Sequence, residues 1–202
     1  MRTIVLATGN QGKIKEFATM FGRLMPDVTV LGLKDFPEIG EIPETGTTFE
    51  ENSRIKAMAV AKATGHVAVA DDSGLMVDAL DGQPGVYSAR YSGEHATDEK
   101  NYLKLLEEMH NVPMIHRTAR FICVITAYAP NGESLVARGS WEGRITSAPL
   151  GDHGFGYDPV FWDDEAEKTA AQMNANTKNS RSHRGNALKS LLEDWPVFWE
   201  RV

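Results

Sequence analysis

The sequence contains one cysteine, Cys123, in 202 residues, so no disulfide can form within the chain. That usage fits a reducing compartment and points to the cytoplasm. No apolar run approaches the ~20 residues of a membrane helix. The N-terminal run Ile4-Val5-Leu6 is also shorter than the ~7–15-residue apolar core of a signal peptide. Positive charge is scarce, with 21 Lys and Arg against 28 Asp and Glu, for a formal charge of −7. This balance argues against a nucleic-acid polymer as partner, which usually needs a basic surface. It leaves room for a small polyanion held by a few lysines and a divalent cation. Repeats, linkers and low-complexity stretches are lacking too, and 42% of the residues are hydrophobic. One domain spanning residues 1–202 is expected.

The apolar pattern alternates between strand and helix periods. Thr3 to Ala7 and Val28 to Leu33 read as short strands. Ile14, Phe17, Phe21 and Leu24 share one helical face, predicting a helix over about 12–25. A second helix is expected from Thr47 or Thr48 to Gly65, with Glu50 and Glu51 at its positive end and glycine at its stop. "HVAVA" reads as a strand ending at "DDSGL", and "MVDAL" as a separate one. Residues 81–96 read as loop. A helix over about 97–110 buries Tyr102, Leu105, Leu106 and Met109. "RFICVITAYA" and "SLVARGSWEGRI" flank Asn131-Gly132, a hairpin signal. A final helix is expected from Ser182 to Asp194, ending ahead of Pro196. The class is α/β with a mixed sheet.

Three stretches carry chemistry. "ATGNQGK", Ala7 to Lys13, joins a strand to a helix, where free N–H groups and the helix dipole favour an anion. It is not a Walker loop, because Lys13 is followed by Ile14. A tight turn with a surface lysine is the alternative. "ADDSGL" sets Asp71 beside Asp72 where the apolar run stops. Adjacent like charges need relief by a cation, a solvent-facing turn or a proton shift, and Mg²⁺ typically takes one or two carboxylates plus substrate phosphates. Glu44 is a candidate third acid; for "DDSG" a solvated acidic turn, with Asp72 or Ser73 capping, is the alternative. "NTKNSRSHRG" supplies Lys178, His183 and Arg184. His183 has no second His or Cys at ligand spacing, so polar recognition beside Arg184 is the better reading. "GFGYDPVF" offers Phe155 and Tyr157 for stacking on a base or for packing. Cys123, within a predicted strand, reads as core.

The motifs "TGNQGK", "ETGTTFEENSRIKA", "ADDSGL", "PGVYSARYSG", "FGYDPVF" and "SHRGNAL", in this order, resemble the inosine/xanthosine triphosphate pyrophosphatase family, closest to its bacterial branch. The likeness runs from Thr8 to Leu188. Ser53 departs from the alanine expected after Asn52. The resemblance implies an elongated mixed β-sheet flanked by helices, with two lobes around a central cleft. It also implies Mg²⁺ dependence, a homodimer, and hydrolysis of non-standard purine nucleoside triphosphates (ITP, dITP, XTP) to monophosphate and pyrophosphate. By motif, Thr8, Gly9, Asn10, Gln11, Gly12, Lys13 and Lys56 would hold the triphosphate. Asp72 would be the catalytic residue and a metal ligand with Glu44 and Asp71, and Ser73 would lie beside the substrate. Phe155, Gly156, Tyr157, Asp158, Lys178, His183 and Arg184 would hold base and sugar.

Overall fold

The computed structural model describes residues 2–9, 14, 17–19, 21–22 and 27–202. Among the described residues seven strands form one sheet in the order β2-β1-β3-β4-β5-β6-β7. They are β1 (Arg2–Leu6), β2 (Val28–Gly32), β3 (Val67–Val77), β4 (Thr118–Tyr128), β5 (Ser134–Ile145), β6 (Phe161–Asp163) and β7 (Lys168–Thr169). The helices whose full extent lies within the described residues are α1 (Phe49–Thr64), α2 (Asp98–Glu108), α3 (Ala175–Arg181) and α4 (His183–Trp199). β1 pairs in parallel with both β2 and β3. β5 and β6 pair antiparallel, as do β6 and β7. The sheet is therefore mixed, as expected. β4 and β5 are neighbours joined through Asn131-Gly132, where Gly132 has φ 96° and Ala129 N–H donates to Glu133. Parallel neighbours need a long crossover, so this short connection makes them a hairpin.

The chain divides into two compact units. The first comprises Met1–Asp72, Val124–Ala137 and Lys189–Val202, and the second Ser73–Cys123 and Arg138–Leu188. In the first, Val5 and Ala7 of the β1 region pack with Ala57, Val60 and Ala61 of α1 and with Ala68 and Ala70 of β3. Small side chains on both partners let helix and sheet approach closely. α1 starts where the sequence indicates: Thr48 Oγ1 accepts from Glu51 N–H at 3.1 Å, and Glu51 Oε2 accepts from Thr48 N–H at 3.1 Å. This reciprocal pair satisfies two orphan donors. Hydrogen bonds to Thr47 and Thr48 hold the Glu51 carboxyl below its ordinary pKa. At the other end Gly65 has φ 69°, a left-handed cap that glycine adopts without strain.

The second unit is built on larger side chains. Leu75, Leu105, Met109, Phe121, Trp141 and Phe161 are among its buried core. Phe121 and Phe161 have ring centroids 4.5 Å apart. Leu105 and Met109 of the predicted α2 stripe are buried, and Tyr102 and Leu106 pack partly buried against the same cluster.

Three expectations are revised. "HVAVA" and "MVDAL" are not two strands, because β3 runs unbroken from Val67 to Val77. Within it Leu75 N–H donates to Ser88 Oγ at 2.9 Å. Asp71 and Asp72 therefore lie inside a strand, not beyond its end. Residues 81–96 are not all loop, since Gly85–Arg90 form a 3₁₀ turn. The last helix does not stop before Pro196 but runs through it to Trp199. Proline removes one intrahelical hydrogen bond. Here Trp195 and Phe198 are buried, and Trp195 packs edge-on against Phe21 at 4.9 Å, which holds the last turn in place. Ile14, Phe17 and Phe21 are helical as expected. The rest of the predicted 12–25 helix falls partly outside the described residues.

Candidate functional site

In the first unit, three elements converge on a set of charged groups. The loop before α1 carries Glu44, α1 carries Asn52 and Lys56, and β3 carries Asp71 and Asp72. Lys56 Nζ lies 2.6 Å from Glu44 Oε1 and 3.8 Å from Asp72 Oδ1. The ammonium thus stands between two carboxylates, and the side chains of Lys56 and Asp72 are only 15% and 12% exposed. Asn52, fully buried, donates from Nδ2 to Asp72 Oδ2 at 3.1 Å. A cavity of about 310 Å³ is lined by Ala7, Thr8, Gly9, Glu44, Lys56 and Asp71, among others. Thr8 and Gly9 of the predicted anion loop therefore share a cavity with two of the predicted metal ligands. Asn10, Gln11, Gly12 and Lys13 lie outside the described residues.

The donors here are carboxylate oxygens. Among the described residues no three His, Cys, Asp or Glu side chains are grouped to hold a metal ion by themselves. Mg²⁺ does not require such a cage, since it is bound by one or two carboxylates with waters and substrate phosphates. Glu44 and Asp71 around one cavity, with Asp72 linked to Glu44 through Lys56, fit that mode.

The second unit gathers an aromatic and two cations. Phe155 is 60% exposed. Lys178 Nζ lies 4.6 Å from its ring centroid and Arg184 Cζ 5.9 Å. Lys178 of α3 is ion-paired with Asp158, whose Oδ2 also accepts the Phe155 N–H at 2.8 Å. Asp158 is buried and fixes both the loop and the lysine. Gly154 has φ 82°, and a Cβ there would overlap the Asp158 carboxylate, so only glycine lets the loop fold over this acid. Arg184 Nη2 reaches Ser73 Oγ at 3.3 Å. The Gly156 N–H donates to Asp98 Oδ2 at 2.7 Å.

Two residues expected at the base have other surroundings. Tyr157 is buried and donates its hydroxyl to Ser88 O at 2.8 Å. Burial raises its pKa, as do the nearby charges, so it is a neutral core phenol. Of the stacking pair, only Phe155 presents its ring. His183 is buried, its ring stacked on Phe121 at 4.8 Å and 13°.

Sequence reasoning missed Asn52, Asp98 and the Asp163 cluster. Asp163 is buried and accepts from Trp141 Nε1 at 2.7 Å and from Arg181 Nε at 2.7 Å. Arg181 Nη2 also reaches Glu165 at 2.8 Å. These bonds anchor the end of α3, three residues beyond Lys178. Asn52 stood within a motif, and its polarity on the helix face that also carries Phe49, Ala57, Val60 and Ala61 was the signal to follow. A buried amide must have partners. The other pairs leave no local trace.

An α/β chain with a mixed sheet, an oxygen-donor cluster beside a cavity and a cation-flanked exposed ring has the parts of an enzyme acting on nucleoside phosphates. The chain belongs to the Ham1 family, whose pattern it matches over residues 4–194. A dITP/XTP pyrophosphatase of Nitratidesulfovibrio vulgaris is 57% identical, the match covering 98% of this chain and 97% of that protein. Another of that name, from Streptococcus agalactiae, is 49% identical over 97% of this chain but only 60% of its own length. The solved Ham1 protein of Staphylococcus aureus superimposes with a TM-score of 0.88 at 43% identity, covering 96% of this chain and 97% of that one.

Proposed function

We propose that this chain is a pyrophosphatase for non-standard purine nucleotides, hydrolysing dITP, XTP and ITP to the monophosphate and pyrophosphate. The reading includes a homodimer, a cytoplasmic location and dependence on Mg²⁺. The observation that carries it is the Glu44–Lys56–Asp72 arrangement in a chain 57% identical to a dITP/XTP pyrophosphatase. No helix among the described residues is long and apolar enough to cross a membrane.

In this reading Glu44, Asp71 and Asp72 are the carboxylates that would hold Mg²⁺, one or two of them together with waters and substrate phosphates, and the ion would neutralise phosphate charge and supply a Lewis acid. Asp72 orients the attacking water and takes its proton. Attack at the α-phosphorus breaks the α–β anhydride, and pyrophosphate leaves. Lys56, with Lys13 from the anion loop, stabilises charge on the leaving group. Thr8 and Gly9 line the cavity that would receive the phosphates, and Asn10, Gln11, Gly12 and Lys13 join them by motif.

Base recognition belongs to the second unit. Phe155 offers a face for the purine, and Lys178 and Asp158 keep that face in place. Arg184 donates to the 6-oxo group of inosine or xanthine, whereas the 6-amino group of adenine meets it donor to donor. A site built around one hydrogen bond can reject the wrong partner by ~10⁴–10⁵-fold. Pyrophosphate release from dITP, XTP, ITP, ATP and GTP, with Mg²⁺ and with EDTA, tests the reading. Release from the 6-oxo non-standard substrates only with Mg²⁺ is expected. Preference for a pyrimidine or methylated nucleotide would move the chain to another substrate class, and binding without turnover would make it a regulator.

A further inference from the structure

We infer that Asn52 is a positioning residue that sets the orientation of the Asp72 carboxylate and ties it to the loop bearing Glu44. The inference rests on the reading of Asp72 as the water-activating group. Asn52 lies in the first turns of α1 and is fully buried. Its Oδ1 accepts the Gly46 N–H at 2.8 Å, and its Nδ2 donates to Asp72 Oδ2 at 3.1 Å. A backbone N–H can only donate and a carboxylate can only accept, so the amide has one possible orientation. One side chain thus connects a backbone group two residues from Glu44 with a carboxylate 20 residues away.

The two oxygens of Asp72 are made unequal by this contact. Oδ2 is taken by the neutral amide, while Oδ1 faces Lys56 at 3.8 Å. Asn52 therefore holds Oδ2 in place and restrains the carboxylate from turning. The loop side of the link is equally confined. A Cβ on Gly46 would lie 2.6 Å from Glu51 Cβ and 2.7 Å from Asn52 Oδ1, so the loop seats on the helix only with glycine there. Ser53, the next residue, bonds Thr126 Oγ1 at 2.7 Å, so the two adjacent polar side chains of α1 serve different partners.

Two variants separate the arms. Asn52→Leu removes both. Asn52→Asp keeps the acceptor for Gly46 and nearly the same volume but replaces the donor facing Asp72 with a like charge. Misplacing a reacting group by ~1 Å can cost ~10²-fold. The expected loss in kcat on ITP is thus roughly 10–10²-fold for both variants, with KM within about threefold. Amide exchange at Gly46, read by NMR without nucleotide or metal, should speed up in Asn52→Leu and stay protected in Asn52→Asp. In an Asp72→Asn background, Asn52→Leu should have no further effect on residual turnover, because it acts through Asp72. A lowered melting temperature with wild-type kcat in the folded enzyme would overturn the inference and leave Asn52 a structural residue. Additive losses in the double variant would overturn it as well. Wild-type turnover in Asp72→Asn alone would instead overturn the reading on which it rests.

Discussion

The first unit mounts all but one of its charged groups, the loop residue Glu44, on a long helix and a long strand, and the second mounts its exposed ring on a glycine-bearing loop. Asn52 and Lys56 sit on the 16-residue α1, and Asp71 and Asp72 within the 11-residue β3. Phe155 lies between Gly154 and Gly156, both at positive φ. It is held by Asp158 and by Lys178 on the seven-residue α3. Side chains on regular elements are held to tighter tolerances than those on loops. Proton transfer needs that precision. Recognition of a flat base needs a face and a few donors, which a loop can supply and evolution can retune. The contrast implies a division of labour: changes in the first unit should slow every substrate alike, and changes in the second should reorder the substrates.

The strongest break in that contrast comes from Asp72→Asn. Loss of a general base costs ~10²–10⁴-fold in turnover. The loss should be equal for ITP, dITP and XTP, with the far-ultraviolet dichroism unchanged. Pyrophosphate release measured across the three substrates checks this, and near-wild-type rates would remove Asp72 from the mechanism. Arg184→Ala comes next. A hydrogen bond from a charged donor contributes ~1.5–3 kcal/mol, so kcat/KM on ITP should fall by roughly 10–10²-fold. The rate on ATP should hold or rise, since a donor–donor clash is gone. If both fall together, Arg184 serves the phosphates or the fold, and the division is wrong.

Phe155→Ala sharpens the contrast from the side of shape. Base stacking contributes ~1–3 kcal/mol, so KM should rise at least about fivefold for every purine, with kcat changed less. Phe155→Tyr should restore most of the affinity. An unchanged KM would show that the ring packs in some other role.

The smallest expected effect on chemistry belongs to Asp163, in the second unit. Its burial pushes the carboxyl pKa up, but hydrogen bonds from Arg181, the Ala166 N–H and Trp141 outweigh burial and hold it below the ordinary value. A folded value below the unfolded one means that the stabilisation is complete above about pH 4, the unfolded range. It is lost as pH falls through the folded value. Asp163→Asn should therefore lower the melting temperature by roughly 6–20 °C at neutral pH, since breaking a buried pair costs ~3–5 kcal/mol. It should also flatten the fall in melting temperature below about pH 4. Turnover on ITP should change little at 25 °C. A melting curve with unchanged acid dependence would mean that other carboxylates carry it.

Much of this molecule was legible in local pattern. The Thr48 cap with Glu51 and the left-handed Gly65 were written into a window of under 20 residues. The Asn131-Gly132 hairpin and the buried Leu105–Met109 stripe were equally local. The errors also share a cause. A run of strand through "DDSGL" conflicts with the turn propensity of those residues. Bonds such as that from Leu75 N–H to Ser88 Oγ accompany its extended form. Pro196 reads as a stop, but burial of Trp195 and Phe198 keeps the helix going. Tyr157 and Phe155 are alike in sequence terms, two aromatics within one glycine-rich loop. A hydroxyl partner in the core, Ser88 O, separates them.

By itself the sequence determined the α/β class, the boundaries of the capped helix and the family, because these depend on short-range periodicity, turn chemistry and ordered motifs. It also marked which residue types could bind phosphate, metal and base. Tertiary structure alone decided which of them meet. Arg184 reaches Ser73 across 111 positions, Asn52 reaches Asp72 across 20, and Asp163 meets Arg181 across 18. No periodicity links such pairs. They form because a folded core leaves buried donors and acceptors only the partners that packing brings within about 3 Å, and an unmatched one costs ~1–3 kcal/mol.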